Sequence, residues 1–266
     1  MFNLALKDIF SGLGKFQYWT YMAWQEIVIR YRRSVLGPFW ITASNAIYIG
    51  SISIVFSALF HQEIKHYLLY MAIGVLVWNF MNQCIIDSTD AFIANAGFIK
   101  QVPIERSVFI YQTIARNIYF FLHNLVLIFI CFFMVDSNLS LYGVCKSLFG
   151  FGLLIFNLTC LSFLLACICT RFMDLRQIIY SVLQIAFLVT PIMWIPTDGI
   201  KGRAFILEYN PIFHFVDFIR RPLLPASFPE VVTQPSFKFI AVFTIINVLV
   251  SFVVFAKARR NIPYWV

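Results

Sequence analysis

The chain has 266 residues, 61% of them hydrophobic and only 12% charged, with a formal net charge of +8 and a mean hydropathy of +0.82. A soluble domain carries about twice that charged fraction, and the apolar residues here fall in long blocks rather than in a two-residue or 3.6-residue alternation. That composition excludes a water-soluble globular domain and reads as an all-α integral membrane protein. The basic residues stand at the ends of apolar runs, where they mark topology and lipid headgroups. Membrane lipid is therefore the expected surroundings, and nucleic acid is not an expected partner.

Residues 1–36 form a cytoplasmic N-terminal segment in this reading. Lys7, Asp8, Lys15 and Glu26 interrupt it, and it lacks the compact apolar core and small-residue cleavage site of a signal peptide. Insertion is expected to rely on the first span. Within FQYWTYMAWQEIVIRYRR (16–33), Trp24, Ile27, Val28 and Tyr31 fall on one stripe at helical spacing, which predicts an amphipathic helix along the inner membrane surface. Arg30 and Arg33 share a face of it and have the fork geometry to hold a phosphate. The same arginines also enforce orientation, and the residues alone leave both roles open. Gly37-Pro38 then breaks the helix so that the first span can turn into the membrane.

A span needs roughly 20 mostly apolar residues. Runs at 40–60, 67–86, 108–135, 147–170, 177–197 and 239–256 meet that length, giving six transmembrane helices within a membrane domain of residues 37–256. An even number places both termini on one side, with residues 257–266 as a tail. Lys7, Lys15, Arg30, Arg32 and Arg33, the loop residues Lys100, Arg106, Arg171 and Arg176, and the tail residues Lys257, Arg259 and Arg260 gather there. The opposite side holds fewer basic residues, mostly in one long loop, so both termini are expected in the cytoplasm.

Between the second and third spans, FIKQVPIERSVFI (98–110) is amphipathic around Pro103. It suits a short helix lying across the membrane surface as a docking element, or a plain connector. Arg116 is the one charge inside the third span, and it reads either as facing an interior path or as snorkelling to the inner surface. Between the fifth and sixth spans, Asn210-Pro211 is an N-cap and first-turn pair. Ile212, Phe215, Val216 and Ile219 follow at helical spacing before Pro222. A helix of about 10 residues reaches near 15 Å, half a hydrocarbon core. It can re-enter from outside, lie at the interface, or be a surface helix under a loop.

Catalytic chemistry finds little footing. The six cysteines and four histidines show no metal-ligand or disulfide spacing. There is no GxSxG, and no GxxxxGK[ST]: SGLGKF lacks the first glycine and the hydroxyl residue. Driven transport would thus take its energy from a partner. Thirty-one phenylalanines and 18% aromatics are compatible with a path that stacks on sugar rings.

RYRRSVLGPFW (30–40), TRFMDLRQ (170–177), VTPIMWIP (189–196) and YNPIFHFVDFIRRPLL (209–224) together resemble permease subunits of ABC exporters for surface polysaccharides. These include the O-antigen, capsule and teichoic-acid type. The resemblance implies a homodimer of six-span subunits in the bacterial inner (cytoplasmic) membrane, with two copies of an ATP-binding subunit beneath. ATP and Mg would belong to that partner, and no cofactor or metal to this chain. It implies a lipid-linked polysaccharide whose phosphate meets Arg30, Arg32 and Arg33. Aromatics such as Trp78, Tyr119 and Trp194 would line the channel. A coupling region over 94–106 would include Phe98, Lys100, Pro103, Glu105 and Arg106. An outer exit would be shaped by Asn210, Pro211, Phe215 and Arg220. An ABC permease for a drug or simple lipid, and an integral-membrane transferase acting on a lipid-linked sugar, are the alternatives; the second would want clustered acidic or histidine residues that the sequence lacks.

Overall fold

Prolines and charges set where the helices stop. The computed structural model describes residues 1–35, 37, 39–135, 140–196, 204–225, 228–229 and 233–266. In chain order its α-helices are α1 (Phe2–Gly14), α2 (Phe16–Tyr31), α3 (Phe39–Leu59), α4 (Ile64–Asp90), α5 (Ala96–Gln101) and α6 (Ser107–Met134). They continue as α7 (Leu141–Arg171), α8 (Leu175–Val189), α9 (Phe205–Glu208), α10 (Pro211–Arg220), α11 (Phe237–Ala258) and α12 (Ile262–Trp265).

Five of these, α3, α4, α6, α7 and α11, are long and apolar enough to cross a bilayer. They coincide with five of the expected spans. The run at 177–197 behaves differently. Its helix, α8, has 15 residues, or about 22 Å at 1.5 Å per residue, against a hydrocarbon core of about 30 Å. Apolarity continues past its end, but Pro191 forbids a helical residue before it, and Thr190 turns to ψ 134.

The helix α4 is the axis of the bundle. It packs on α3, α6, α7, α8 and α10, and buries every residue from Leu69 to Trp78. That is what an unbroken apolar run with no polar face requires. Apolar packing has no water to escape in lipid, so small and polar contacts hold the helices together. Ser88 of α4 donates to Ser162 of α7 at 2.6 Å. Asn157 of α7 donates to Thr244 of α11 at 2.9 Å, and Asn247 of α11 donates back to the Asn157 carbonyl at 2.8 Å.

Both chain ends lie at one end of this bundle, where Phe2 packs on Phe252 with ring centroids 5.8 Å apart. The N-terminal segment is two helices broken at Lys15, not one element. The expected stripe on α2 is only partly its packing face: Ala23 and Ile27 are buried, but Trp24 is 53% and Val28 43% exposed. Large apolar and aromatic side chains also stand on other faces of α2, with Tyr18, Tyr21 and Ile29 exposed. The fit of small Ala23 and the polar contacts of Glu26 choose its side, not the stripe. At the opposite end, α10 is no surface helix, since Phe213 through Arg220 are all buried among α4, α7 and α11.

Candidate functional site

The arginine cluster forms where α2 ends and the chain turns toward α3. Arg30, Arg32 and Arg33 are exposed. The Arg30 guanidinium sits 5.7 Å from the centre of the Phe120 ring on α6, a cation–π distance. Gly37 takes a left-handed φ of 55, a conformation that only glycine adopts at no steric cost, and its N–H donates to the Ser34 hydroxyl at 3.1 Å. The other half of the expected break, Pro38, lies outside the described residues. Among the described residues none of the three arginines meets a carboxylate, so their charge is free to attract an anion.

The coupling region divides into an outward and an inward half. Phe98 and Lys100 on α5, and Pro103 beyond it, are exposed. A groove of about 640 Å³ runs between Gly14–Tyr18 and Val102–Ile104. Glu105 and Arg106 turn inward. Glu105 accepts from Ser11 at 2.6 Å and from Lys15 at 2.5 Å. Partial burial alone would raise the Glu105 carboxyl, but these two donors outweigh it and hold the pKa down at about 2. Arg106 donates to the Ile104 carbonyl at 2.8 Å. Beside it, Asp8 of α1 serves as an N-terminal cap for α6 from a distant part of the chain. One oxygen accepts from the Ser107 N–H at 3.0 Å, and the other from Arg259 at 2.5 Å. One buried carboxylate therefore ties the N-terminal helix, the third long apolar run and the C-terminal tail.

Deeper in lies Arg116 of α6. It donates to Asp87 on α4 at 2.7 Å and also to Glu26 on α2. Gln112 donates to Glu26, Gln83 to Asp87 at 2.8 Å, and Asn117 to Asp87 at 3.0 Å. This network binds the surface helix to two helices of the bundle.

At the opposite end the proline that stops α8 releases carbonyls, and buried donors collect them. Tyr70 places its hydroxyl 3.0 Å from the Pro191 carbonyl and 2.9 Å from that of Trp194. Tyr67 donates to the Met193 carbonyl. Arg220, fully buried, donates to the Pro191 carbonyl at 3.1 Å and to Asp217 at 2.9 Å, and its guanidinium lies 3.7 Å from the centre of the Tyr70 ring. Arg221 also donates to Asp217, at 2.9 Å. Asn210 caps α10 as its sequence predicts, accepting from the N–H groups of Ile212 at 2.9 Å and Phe213 at 3.2 Å, with Pro211 in the first turn. Phe215 is buried and packs edge-on against Phe243.

The three chosen channel aromatics are not brought together. Trp78 is buried against Phe187 of α8. Tyr119 meets Trp24 of α2 edge-on. Trp194 donates to the Leu188 carbonyl at 3.2 Å. Sequence reasoning passed over Asp8, Glu26 and Asp87, whose partners lie far away along the chain. The only available signal was that acidic residues are scarce and three of them sit in or beside apolar helices.

Comparison with known proteins matches a family described as ABC-2 type transporter to residues 17–224. That stretch runs from α2 through α10. Two O-antigen export system permease proteins, both named RfbA and both from Klebsiella pneumoniae, are each 25% identical to the chain over 192 residues. The similarity covers 71% of this chain and 73% of each relative.

Proposed function

The chain belongs to the ABC-2 type transporter family, and from that membership we propose that it is the transmembrane permease subunit of an exporter for a lipid-linked surface polysaccharide of the O-antigen, capsule or teichoic-acid type. The single observation that carries the substrate class is the likeness to O-antigen export permeases over 71% of the chain. The sequence has no phosphate-binding loop of its own, so ATP is hydrolysed on a separate subunit that carries the Mg and nucleotide.

In this account the end of the bundle holding both termini faces the cytoplasm of a bacterial inner membrane. Arg30, Arg32 and Arg33, which meet no carboxylate among the described residues, meet the phosphate that joins polymer to lipid at headgroup depth. The exposed residues Phe98, Lys100 and Pro103, with the adjoining groove, receive the ATP-binding subunit. Movement there reaches the bundle through Glu105 to α1 and through Asp8 to α6 and the tail. The short α8 with its proline-ended hook completes a sixth span, and α10 re-enters the membrane from outside beside it. Two helices remain under-packed: α3 is largely exposed, and of α8 only Leu183 is buried. Exposed apolar faces on these two helices suit a second copy of the chain, with the polymer path between the two.

The test is the location of polymer in cells lacking the chain. Full-length lipid-linked polysaccharide held inside, and released to the surface when the chain is restored, is the expected result. Normal surface polymer without it would move the assignment to another ABC substrate. Absence of polymer on both sides would move it to synthesis.

A further inference from the structure

A recess of about 360 Å³ opens between the C-terminal turn of α2 and the helices α3, α4 and α6. Its size falls within the roughly 300–1,000 Å³ of small-molecule sites. Its lining is unusual for the interior of an apolar bundle. Asn45, Asn79, Asn82, Gln83, Asn117 and Asn124 all contribute carboxamides. Polar side chains inside a membrane protein are costly and line functional paths by default. Some of these amides bridge helices: Asn45 donates to Asn124 at 3.1 Å and Asn79 donates to Asn45 at 3.2 Å. Helix pairing does not account for all of them. Asn117 is buried, and its Oδ1 has no hydrogen-bond partner among the described residues. A buried acceptor left unmet is costly in an apolar interior. The remaining walls include the rings of Phe80, Phe120 and Phe121, and Arg30 stands at the recess with its guanidinium over Phe120.

We propose that this recess binds a sugar residue at the lipid-proximal end of the polymer, with the Asn and Gln carboxamides on its hydroxyls and Arg30 on the adjoining phosphate. The inference rests on the polysaccharide-export reading and deepens it by naming where the glycan is recognised. Carboxamides suit the task because each offers two donors and an acceptor, as a ring of hydroxyls demands. Uncharged amides also grip without the desolvation cost of ions. Aromatic faces complement the C–H faces of the ring. A lipid tail would find no use for the carboxamides, and a bare phosphate would need more than one cation.

The test uses the full transporter in living cells. Asn82 is replaced by the photo-crosslinking residue p-benzoylphenylalanine, and so, separately, is Phe129, which lies on the exposed face of α6. Polymer export is scored in the same cells. After irradiation, the chain is purified and stained for covalently attached glycan. Glycan-bearing adducts at position 82 and none at 129, with export running in wild-type cells, are the expected result. Adducts carrying only phospholipid at position 82, or equal glycan labelling at both positions, would overturn the recess while leaving export intact. Failure of the wild-type chain to export polymer would remove the underlying reading as well. A second variant guards against misfolding. Asn82→Ala at normal protein level should lower the export rate about tenfold, the scale of losing one buried hydrogen bond. An unchanged rate would count against the site.

Discussion

Arg116 on α6 lies 2.7 Å from Asp87 on α4 and also donates to Glu26 on α2, so one guanidinium neutralises carboxylates from two other helices. Removing it leaves two partly buried anions facing each other. Arg116→Leu is therefore expected to destabilise the chain by about 3–5 kcal/mol. Combining it with Glu26→Gln and Asp87→Asn should recover much of that loss. Thermal unfolding of the detergent-solubilised chain reads both. A single-variant cost under about 1 kcal/mol would show that the network is incidental.

Glu105 gives the coupling region a pH dependence of known sign. Its pKa is depressed to about 2 by Lys15 and Ser11. The stabilisation of α1 against the coupling segment is thus fully present above the ordinary carboxylate pKa near 4.5 and is lost as pH falls toward 2. Hydrogen exchange in α1 should rise between pH 5 and pH 3 by more than intrinsic exchange chemistry allows, and Glu105→Gln should abolish that excess. The same excess in the variant would place the pH response elsewhere.

Two glycines of α7 should respond in opposite ways. A Cβ at Gly143 would stand 2.4 Å from the Pro222 carbonyl oxygen, a backbone atom that cannot step aside alone. Gly143→Ala is expected to cost about 1–3 kcal/mol and loosen the segment that follows α10. At Gly152 nothing lies within 4 Å. Gly152→Ala should be neutral or stabilising by up to about 1 kcal/mol through helix propensity. Equal effects in an unfolding assay would contradict the close approach of α7 to Pro222.

The arginine cluster separates topology from binding. Arg30→Ala with Arg33→Ala removes charge from exposed side chains that pair with no carboxylate among the described residues. Membrane insertion and protein level should hold, while polymer export falls at least about tenfold, consistent with loss of charged hydrogen bonds to a phosphate. Loss of the protein from the membrane would instead assign these residues to orientation.

Long uniform runs were the legible part of this molecule. Five apolar stretches became long helices because nothing in them competes with helical hydrogen bonding, and the Asn210-Pro211 cap acts within three residues. Three features escaped. The run at 177–197 reads as one span, yet Pro191 ends its helix at Val189, since local backbone sterics override hydropathy. Arg116 reads equally as interior or snorkelling, because Glu26 and Asp87 lie 90 and 29 residues away along the chain. Arg220 reads as an outer loop charge and is instead fully buried, held by Asp217, Tyr70 and the Pro191 carbonyl beyond the end of α8. Long-range pairing of this kind leaves no periodic trace.

The central claim is ATP-driven movement of lipid-linked polysaccharide through this chain, and inverted membrane vesicles test it most directly. Vesicles carrying the chain with its ATP-binding partner, and loaded with polymer on their outer, formerly cytoplasmic, face, are given ATP and then a glycosidase. The account predicts that polymer becomes protected from digestion only when ATP, the partner and this chain are all present, and that Arg30→Ala with Arg33→Ala weakens the protection. Polymer that stays fully accessible in the complete system would contradict it.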